Sequence, residues 1–152
     1  MSRPEVSCRP YEPRDEAQCL QLFDGNCPAA FAPGERDDYA SYLRSVPDYI
    51  VYVRDDTIAG AFGMSEDRGR ARLRWILVHP RWQGSGLGSE MMSAVVRRAV
   101  TRGARVLDIA ASQVSEPFFA RFGARVIRRI EDGWGSGMHR VDMELDLTAA
   151  AL

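Results

Sequence analysis

Segments in which hydrophobic and polar residues alternate, or in which nearly all residues are hydrophobic, recur along the chain and predict β-strands. They are Val6 to Pro10, Tyr49 to Arg54, Thr57 to Met64, Arg70 to Val78, Val106 to Ala111, Arg125 to Ile130 and Met138 to Leu147. Short polar segments such as Asp55-Asp56 and Ser65 to Gly69 are typical of turns between antiparallel strands. In the strand from Arg70 to Val78, alternation predicts one face made of Ala71, Leu73, Trp75 and Leu77.

Apolar residues recur with helical spacing in four other segments. These are Arg14 to Phe23, Glu35 to Leu43, about Gly86 to Arg102, and a short segment beginning near Ser115. The third helix connects the strand ending at Val78 to the strand beginning at Val106, which predicts a right-handed βαβ unit with parallel strands. We therefore predict an α/β protein (α+β in some classifications) with one mixed, mostly antiparallel sheet of six to seven strands and about four helices. We expect one domain at 1–147 and a tail at 148–152.

Composition limits the partners and the compartment. The 152 residues carry a formal net charge of −1, and no excess of basic residues favours nucleic acid as a partner. No apolar run is as long as a membrane span, and no signal-peptide core is present, so we expect a cytoplasmic protein that does not bind membranes. The three cysteines form no C-x-x-C pair and the chain has two histidines, so we expect neither a disulfide framework nor a metal site.

A glycine-rich segment, Gln83-Gly84-Ser85-Gly86-Leu87-Gly88, connects the strand ending at Val78 to a predicted helix. Unpaired backbone N–H groups at the start of a helix favour an anion such as a pyrophosphate. The segment is interpretable as a simple turn, or as a dinucleotide-binding loop with Asp108 as the ribose-binding acid. The dinucleotide pattern fits poorly because its third glycine falls at Ser89. A Walker A loop is excluded because no Gly-Lys-Ser/Thr follows.

Val78-His79-Pro80 followed by the glycine-rich segment resembles motif A of the Gcn5-related N-acetyltransferases (GNAT), which has the pattern Gln/Arg-x-x-Gly-x-Gly/Ala. Ser112 to Ala124 resembles motif B of the same family. The resemblance implies the GNAT fold and acetyl-CoA as co-substrate, with the pyrophosphate on the loop amides and the pantetheine along the end of the preceding strand. The residues that it implies for this site are Leu77, Val78, Gln83, Gly84, Ser85, Gly86, Leu87, Gly88, Ser89, Ser112 and Phe119.

The reaction implied by the resemblance is attack of a neutral primary amine on the acetyl thioester, so the chain is expected to be an N-acetyltransferase that needs no metal. The backbone N–H of Val78 is the expected oxyanion donor. Relatives commonly place a tyrosine acid where this chain has Phe119, and a thiolate with a pKa near ~8.5 can leave unassisted. His79 is a candidate base because histidine is a common base near neutral pH, although a histidine beside proline at this position is more simply a loop residue that packs against or caps the strand end. Weaker candidates for the base are Glu35, Glu66 and Asp108.

Ser112 occupies a place where relatives often use Asn or Ser to hold pantetheine or a water molecule. The first two helices usually form one wall of the acceptor site in this family, so Phe31, Glu35 and Tyr39 are candidate acceptor contacts. A capping loop with a packed aromatic ring explains the same residues.

The expected acceptor is a small-molecule or peptide amine. Arg72 and Arg74 would favour an acidic acceptor if they face the cleft, whereas acidic residues of the second helix would favour a cation. C-terminal strands of the family often pair between subunits, so a homodimer is one expectation, with Trp134 in an exposed turn. The alternative function is an acyl-CoA-binding domain with weak or no catalysis, motivated by Phe119 and by the lack of a carboxylate between Arg70 and Val78.

Overall fold

One mixed sheet of seven strands forms the centre of the protein in a computed structural model that describes the backbone of residues 6–150 and the side chains of residues 6–148. The strands are β1 (Ser7–Pro10), β2 (Tyr49–Arg54), β3 (Thr57–Asp67), β4 (Arg70–Val78), β5 (Val106–Ser112), β6 (Arg125–Gly135) and β7 (Met138–Asp146). They lie in the order β1-β2-β3-β4-β5-β7-β6, and each neighbouring pair is antiparallel except β4 and β5. This arrangement confirms the predicted fold class.

Helices lie on both faces of the sheet. They are α1 (Glu16–Gly25), α2 (Glu35–Arg44), α3 (Leu87–Thr101), α4 (Glu116–Ala120) and the single turn α5 (Leu147–Ala150). α5 takes up most of the predicted tail, with Leu147 buried, and residues 151–152 lie outside the described part. None of the helices within residues 6–150 combines the length and the apolar composition that a membrane span requires.

Two hydrophobic cores are separated by the sheet. The larger core packs α3, α4 and α5 against strands from β2 to β7 and is mainly aliphatic, with Met91, Val95 and Leu107 fully buried. The smaller core packs α1 and α2 against β2, β3 and β4 and is rich in aromatic rings, including Phe23 and Tyr39. The helices of the second core do not extend over β5, β7 and β6, so the face of these strands opposite to α3 is open.

A β-bulge in β4 changes which side chains face each core. Strand β4 contains one residue more than β3 between the pairs Ala61–Leu77 and Gly63–Arg74, and Trp75 has a φ of +44°. Ala71 and Leu73 pack in the α3 core, whereas Trp75 and Leu77 pack in the α1–α2 core. The predicted single face of Ala71, Leu73, Trp75 and Leu77 is therefore wrong, because an extra residue reverses the alternation beyond it.

Strands β4 and β5 separate soon after they begin to pair. Their parallel pairing covers Arg70 to Arg72 of β4 and Val106 to Asp108 of β5. Beyond these residues the two strands diverge, and the sheet has a gap between their C-terminal halves. The gap opens beside Val78, at the same end of β4 as the glycine-rich segment.

Two hairpins are longer than predicted. β3 continues to Asp67, so the turn predicted over Ser65 to Gly69 is reduced to Arg68 and Gly69, which both have positive φ, as a tight two-residue hairpin requires. β6 continues to Gly135, beyond the predicted end at Ile130. The glycines and charged residues in these segments favour turns locally, but pairing with the neighbouring strand extends both hairpins.

Candidate active site

The glycine-rich segment forms an open loop before α3. Gly84 and Gly86 have φ values of +79° and +90°, which favour glycine, and Gly86 is the residue directly before the helix. Ser85 Oγ accepts from the Leu87 N–H at 3.3 Å. Gly86, at the N-cap position, has no side chain that could cap the helix. The N–H groups of Gly88 and Ser89 belong to the first turn of α3 and have no acceptor within the helix. A diphosphate fits this cluster of donors at the positive end of a helix.

The loop leaves room for a ligand on its outer side. Gln83, Gly84, Ser85 and Gly86 are exposed, and no heavy atom lies within 4 Å of a Cβ placed at Gly84. At Gly88 the space is limited instead, because a Cβ there would lie 3.3 Å from the Phe118 ring. Gly88 thus permits α3 to approach α4 closely, while Gly84 and Gly86 shape the loop.

Asn26 connects the end of α1 to the end of β4 and to the glycine-rich segment. Its buried side-chain amide donates to the carbonyl oxygens of Leu22 and Val78 at 2.8 and 3.0 Å. Its Oδ1 accepts from Gln83 Nε2 at 2.7 Å, and Gln83 Nε2 also lies 3.2 Å from the Val78 carbonyl oxygen. Gln83, which begins the glycine-rich pattern, therefore orients the loop through Asn26 and Val78.

The N–H of Val78 points away from β3. Val78 is opposite Gly60, and the neighbouring His79 N–H donates to the Ala59 carbonyl at 2.8 Å. Because hydrogen bonds to one neighbouring strand alternate along an antiparallel strand, Val78 directs its N–H and C=O to the other side. On that side β5 has already separated from β4, so this N–H faces the gap.

Ser112 and α4 border the opposite side of the gap. Ser112 is buried, and its Oγ accepts from the N–H groups of Val114 and Ser115 at 3.1 and 3.3 Å, while Ser115 Oγ accepts from the Ser112 N–H at 3.0 Å. Ser112 thus orders the turn that leads into α4. Phe119 is buried in the α3 core, and Phe118 is the α4 ring that lies beside Gly88.

His79 caps the turn after β4. Its Nδ1 accepts from the Arg81 N–H at 3.1 Å, within the 3-10 turn Pro80–Trp82. This bond corresponds to the capping alternative considered for His79. Its role as a base stays a prediction.

The candidate acceptor residues of the first two helices contact an aromatic cluster around the bulge. The Trp75 ring centroid lies 4.9 Å from that of Tyr39 and 6.1 Å from that of Phe31. Tyr39 is fully buried and its Oη lies 2.9 Å from Tyr49 Oη, which donates to the Trp75 carbonyl oxygen at 2.5 Å. Phe31 is partly exposed and contributes a ring surface, whereas Tyr39 supports the backbone of the bulge through Tyr49.

Glu35 is buried at the start of α2. Its Oε2 accepts from the Ala32 N–H at 2.8 Å. Burial raises the pKa of Glu35, the Ala32 N–H lowers it and the nearby Asp38 raises it, which together give a pKa of about 7. Glu35 therefore exchanges a proton near neutral pH, as a general base must. Its hydrogen bond to Ala32 holds the loop between α1 and α2, so Glu35 also has a structural role.

The tip of the β6–β7 hairpin lies on the α1–α2 loop. A Cβ at Gly135 would lie 2.8 Å from Ala32 Cβ, so glycine is required at this contact. Trp134 is partly buried, its Nε1 donates to the Ala111 carbonyl at 2.9 Å, and Arg140 Cζ lies 5.2 Å from its ring centroid. The expected exposed turn at Trp134 is therefore wrong, because the indole packs back on β5 and on Arg140 in the folded chain.

Arg74 is half-buried on the face of β4 opposite to α3, beside α2. Its Nε lies 3.3 Å from Ser65 Oγ. Burial lowers the pKa of Arg74, and so does the neighbouring Arg72. Arginines that lose part of their hydration usually have an acidic partner in proteins.

The structure brings some predicted residues together and separates others. Leu77, Val78 and the glycine-rich segment adjoin one another, and Ser112 lies across the gap. Asp108 is bound by Arg70 at 2.6 Å, and Glu66 is exposed on β3. Sequence reasoning missed Asn26, because the two partners that connect it to the site, Val78 and Gln83, are 52 and 57 positions away. Within residues 6–150, no three His, Cys, Asp or Glu side chains are grouped as a metal site would require.

Solved structures of acetyltransferases share this architecture. A Desulfovibrio desulfuricans protein assigned to the GNAT family is 23% identical, with a TM-score of 0.77 over 94% of this chain and 99% of that one. The Escherichia coli ribosomal-protein-S18-alanine N-acetyltransferase is 16% identical, with a TM-score of 0.77 over 94% of each chain. A Salmonella typhimurium protein assigned as an acetyltransferase, solved with acetyl-CoA, is 17% identical, with a TM-score of 0.70 over 94% of each chain.

A comparison with curated protein sequences gives no significant match. The family model of the GNAT acetyltransferases matches residues 14–124, from the 3-10 turn before α1 to the residue before β6. This range includes the glycine-rich segment, the gap between β4 and β5, and motif B. The chain therefore belongs to the GNAT acetyltransferase family.

Proposed function

We propose that this protein transfers the acetyl group of acetyl-CoA to a primary amine of a small molecule or peptide by direct attack on the thioester. One observation carries the proposal: the open amide loop at Gly84 to Ser89 lies at the same end of β4 as the Val78 N–H, which faces the gap. A diphosphate on the loop and a thioester beside Val78 would then both accept hydrogen bonds from backbone N–H groups of one short segment.

Acetyl-CoA supplies an acyl group already activated as a thioester. The Val78 N–H would donate to the carbonyl oxygen as negative charge develops on it, which lowers the barrier without a specialised side chain. The amine nitrogen forms a bond to the acetyl carbon, the carbon–sulfur bond breaks, and the amine releases a proton. Phe119 has no proton to give, so the thiolate leaves unassisted and takes its proton from water.

The names of two structural relatives support an amine acceptor. One acts on an alanine of a ribosomal protein, and another is an aminoglycoside 6'-N-acetyltransferase solved with coenzyme A. One acceptor is a protein and the other is an aminoglycoside, so the two names support transfer to an amine and favour no particular acceptor. The homodimer and the cytoplasmic location remain predictions.

A second candidate function is an acyl-CoA-binding domain without turnover. It is favoured by Phe119, which is buried where relatives commonly carry a tyrosine hydroxyl. This function predicts binding of acetyl-CoA without release of thiol to any amine.

Two measurements on the purified protein separate these functions. We expect acetyl-CoA to raise the melting temperature at concentrations above its Kd, whereas NADH does not. We expect a panel of primary amines to produce free coenzyme A, detected with a thiol reagent. Stabilisation without thiol release would favour the binding domain, and no stabilisation by acetyl-CoA would contradict both functions.

A further inference from the structure

Arg72 and Arg74 carry positive charge on the face of β4 opposite to α3. Both lie on the same side of β4, before the bulge, and their partners on β3 are Ser65 and Gly63. On β5, Arg72 is paired with Asp108, whose carboxylate binds Arg70. Among residues 6–148, no ion pair or hydrogen bond joins either guanidinium to a carboxylate, while Arg74 contacts Ser65 Oγ. Two neighbouring arginines repel each other, so this arrangement costs free energy that an anion would recover.

The acids of the adjoining cleft are already bound by other arginines. The cleft has a volume of about 190 Å³ and lies on the open face of β4, β5, β7 and β6. Its three carboxylates each have an arginine partner: Asp108 and Glu144 bind Arg70, and Asp142 binds Arg128 and Arg140. Arg72 also lines this cleft and contributes its positive charge.

The Tyr42 hydroxyl lies close to Arg74 on the same face of the sheet. A Cβ at Gly63 would lie 2.2 Å from Tyr42 Oη and 3.3 Å from Arg74 Cβ, so glycine at this position lets the phenol sit over β3 beside the arginine. Burial and, to a smaller extent, Asp48 raise the pKa of Tyr42 to about 12, against the lowering effect of Arg74. Asp48 is itself bound by Arg98 and Arg102. Tyr42 therefore keeps its proton at neutral pH and is a hydrogen-bond donor, like Arg74, rather than a counter-ion.

The acidic residues of α2 do not offset this charge. Glu35 is buried against Ala32. Asp37 and Asp38 are exposed in the first turn of α2, where the helix dipole favours carboxylates. The acceptor side thus contains an unneutralised cationic surface at the end of the aromatic cluster.

Building on the proposed function, we propose that the amine acceptor carries a carboxylate, which binds to Arg74 and Tyr42 with Arg72 beside them. Arg74 precedes Val78 by four residues, which corresponds to roughly 13 Å along an extended strand. The long arginine side chain can bring its guanidinium closer to the Val78 N–H than this backbone distance. The amine and the carboxylate of a good acceptor are therefore separated by several bonds. Arg74 is a specificity-determining residue in this proposal.

Three amines of increasing length, each as the acid and as its carboxamide, test the proposal. We would measure coenzyme A release with glycine, 4-aminobutyrate and 6-aminohexanoate and with glycinamide, 4-aminobutanamide and 6-aminohexanamide. In the unmodified protein we expect kcat/KM to favour the acid by about tenfold or more for the longer pairs, mainly through KM. Arg74→Gln should bring this ratio close to one, and Arg74→Lys should restore part of it. Arg68→Gln, at an exposed turn position, should leave the ratio unchanged.

A binding measurement decides the proposal if no amine is turned over. The same acids and amides would be titrated into the protein saturated with coenzyme A, and their Kd values compared. Turnover of amides at least as well as acids, an equal Kd for both, or a loss in Arg74→Gln that affects acid and amide equally would overturn the carboxylate site. Binding of acids without thiol release would overturn the transferase function alone and support the site.

Discussion

The two sides of the gap between β4 and β5 are built in different ways. The proposed donor side consists of consecutive residues from Leu77 to Ser89, and the groups proposed to bind acetyl-CoA are backbone N–H groups exposed by glycines. The proposed acceptor side consists of side chains from α1, α2, β2, β4 and β6, held by contacts such as the hydrogen bond from Tyr49 Oη to the Trp75 carbonyl at 2.5 Å. A backbone site tolerates many side-chain changes, whereas a side-chain site changes specificity with each substitution. We therefore expect the acetyl donor to be shared among relatives with this loop, and the acceptor to differ with the side chains of the acceptor side.

The largest expected effect is on the donor side, at Gly86. Gly86→Glu should lower the affinity for acetyl-CoA on the order of 100-fold, about 2.7 kcal/mol, because a carboxylate would oppose the diphosphate. The measurement is the acetyl-CoA dependence of the melting temperature. Gly69→Glu is the matched control, since Gly69 also has a positive φ, +79°, and no heavy atom within 4 Å of its Cβ position. Equal binding by the two variants would contradict a donor site in this loop.

Asn26 tests how far the donor side depends on a distant helix. Asn26→Asp should lower the free energy of unfolding by about 2–3 kcal/mol, because a buried carboxylate cannot donate to the carbonyls of Leu22 and Val78. We also expect weaker acetyl-CoA binding, since Gln83 loses its orientation. Chemical denaturation and a thermal shift measure the two effects. Gln113→Glu makes the same change at an exposed site, where about 0.5 kcal/mol or less is expected; an equal loss in both variants would contradict this role of Asn26.

Glu35 makes stability on the acceptor side depend on pH. Its folded-state pKa of about 7 is above the ordinary value of 4.5, so the folded protein holds this proton more tightly than the unfolded chain. As the pH rises from the lower to the higher of these two pKa values, the free energy of unfolding falls by about 1–3 kcal/mol in total. Glu35→Gln should therefore remove this decrease and be relatively more stable at pH 8 than at pH 5.

Denaturation of the unmodified protein, Glu35→Gln and Asp37→Asn across this pH range measures the effect. Asp37 is exposed in the same turn of α2 and serves as the control. A difference between Glu35→Gln and the unmodified protein that stays constant from pH 5 to pH 8 would show that Glu35 does not titrate in this range.

The smallest effect on rate is expected at Phe119, between the two sides. Phe119→Tyr should change kcat by less than about threefold, because the thiolate leaves without an acid. It should also lower the free energy of unfolding by about 1 kcal/mol, since the new hydroxyl enters an apolar core. Phe62→Tyr, which buries a hydroxyl elsewhere in the same core, is the control for stability. A tenfold rise in kcat at neutral pH would indicate that proton donation limits the reaction.

Sequence reasoning succeeded where the signal was local. The bounds of β2 and β4 match their predicted bounds, Tyr49 to Arg54 and Arg70 to Val78, because alternation and turn residues define them within a few positions. It failed at Trp75, because a bulge depends on pairing with β3 and leaves the composition of the strand unchanged. It also failed at Trp134, whose indole finds the Ala111 carbonyl only in the folded chain.

The sequence by itself determined the family, the mixed sheet and the amide loop, because glycines and a helix start express their chemistry through the local backbone. The tertiary structure alone decided that Val78 turns its N–H to a gap, that Asn26 holds Gln83 in place, and that Trp75 and Arg74 face the acceptor side. These features depend on the separation of β4 from β5 and on residues about 50 positions apart, distances over which local patterns carry no information.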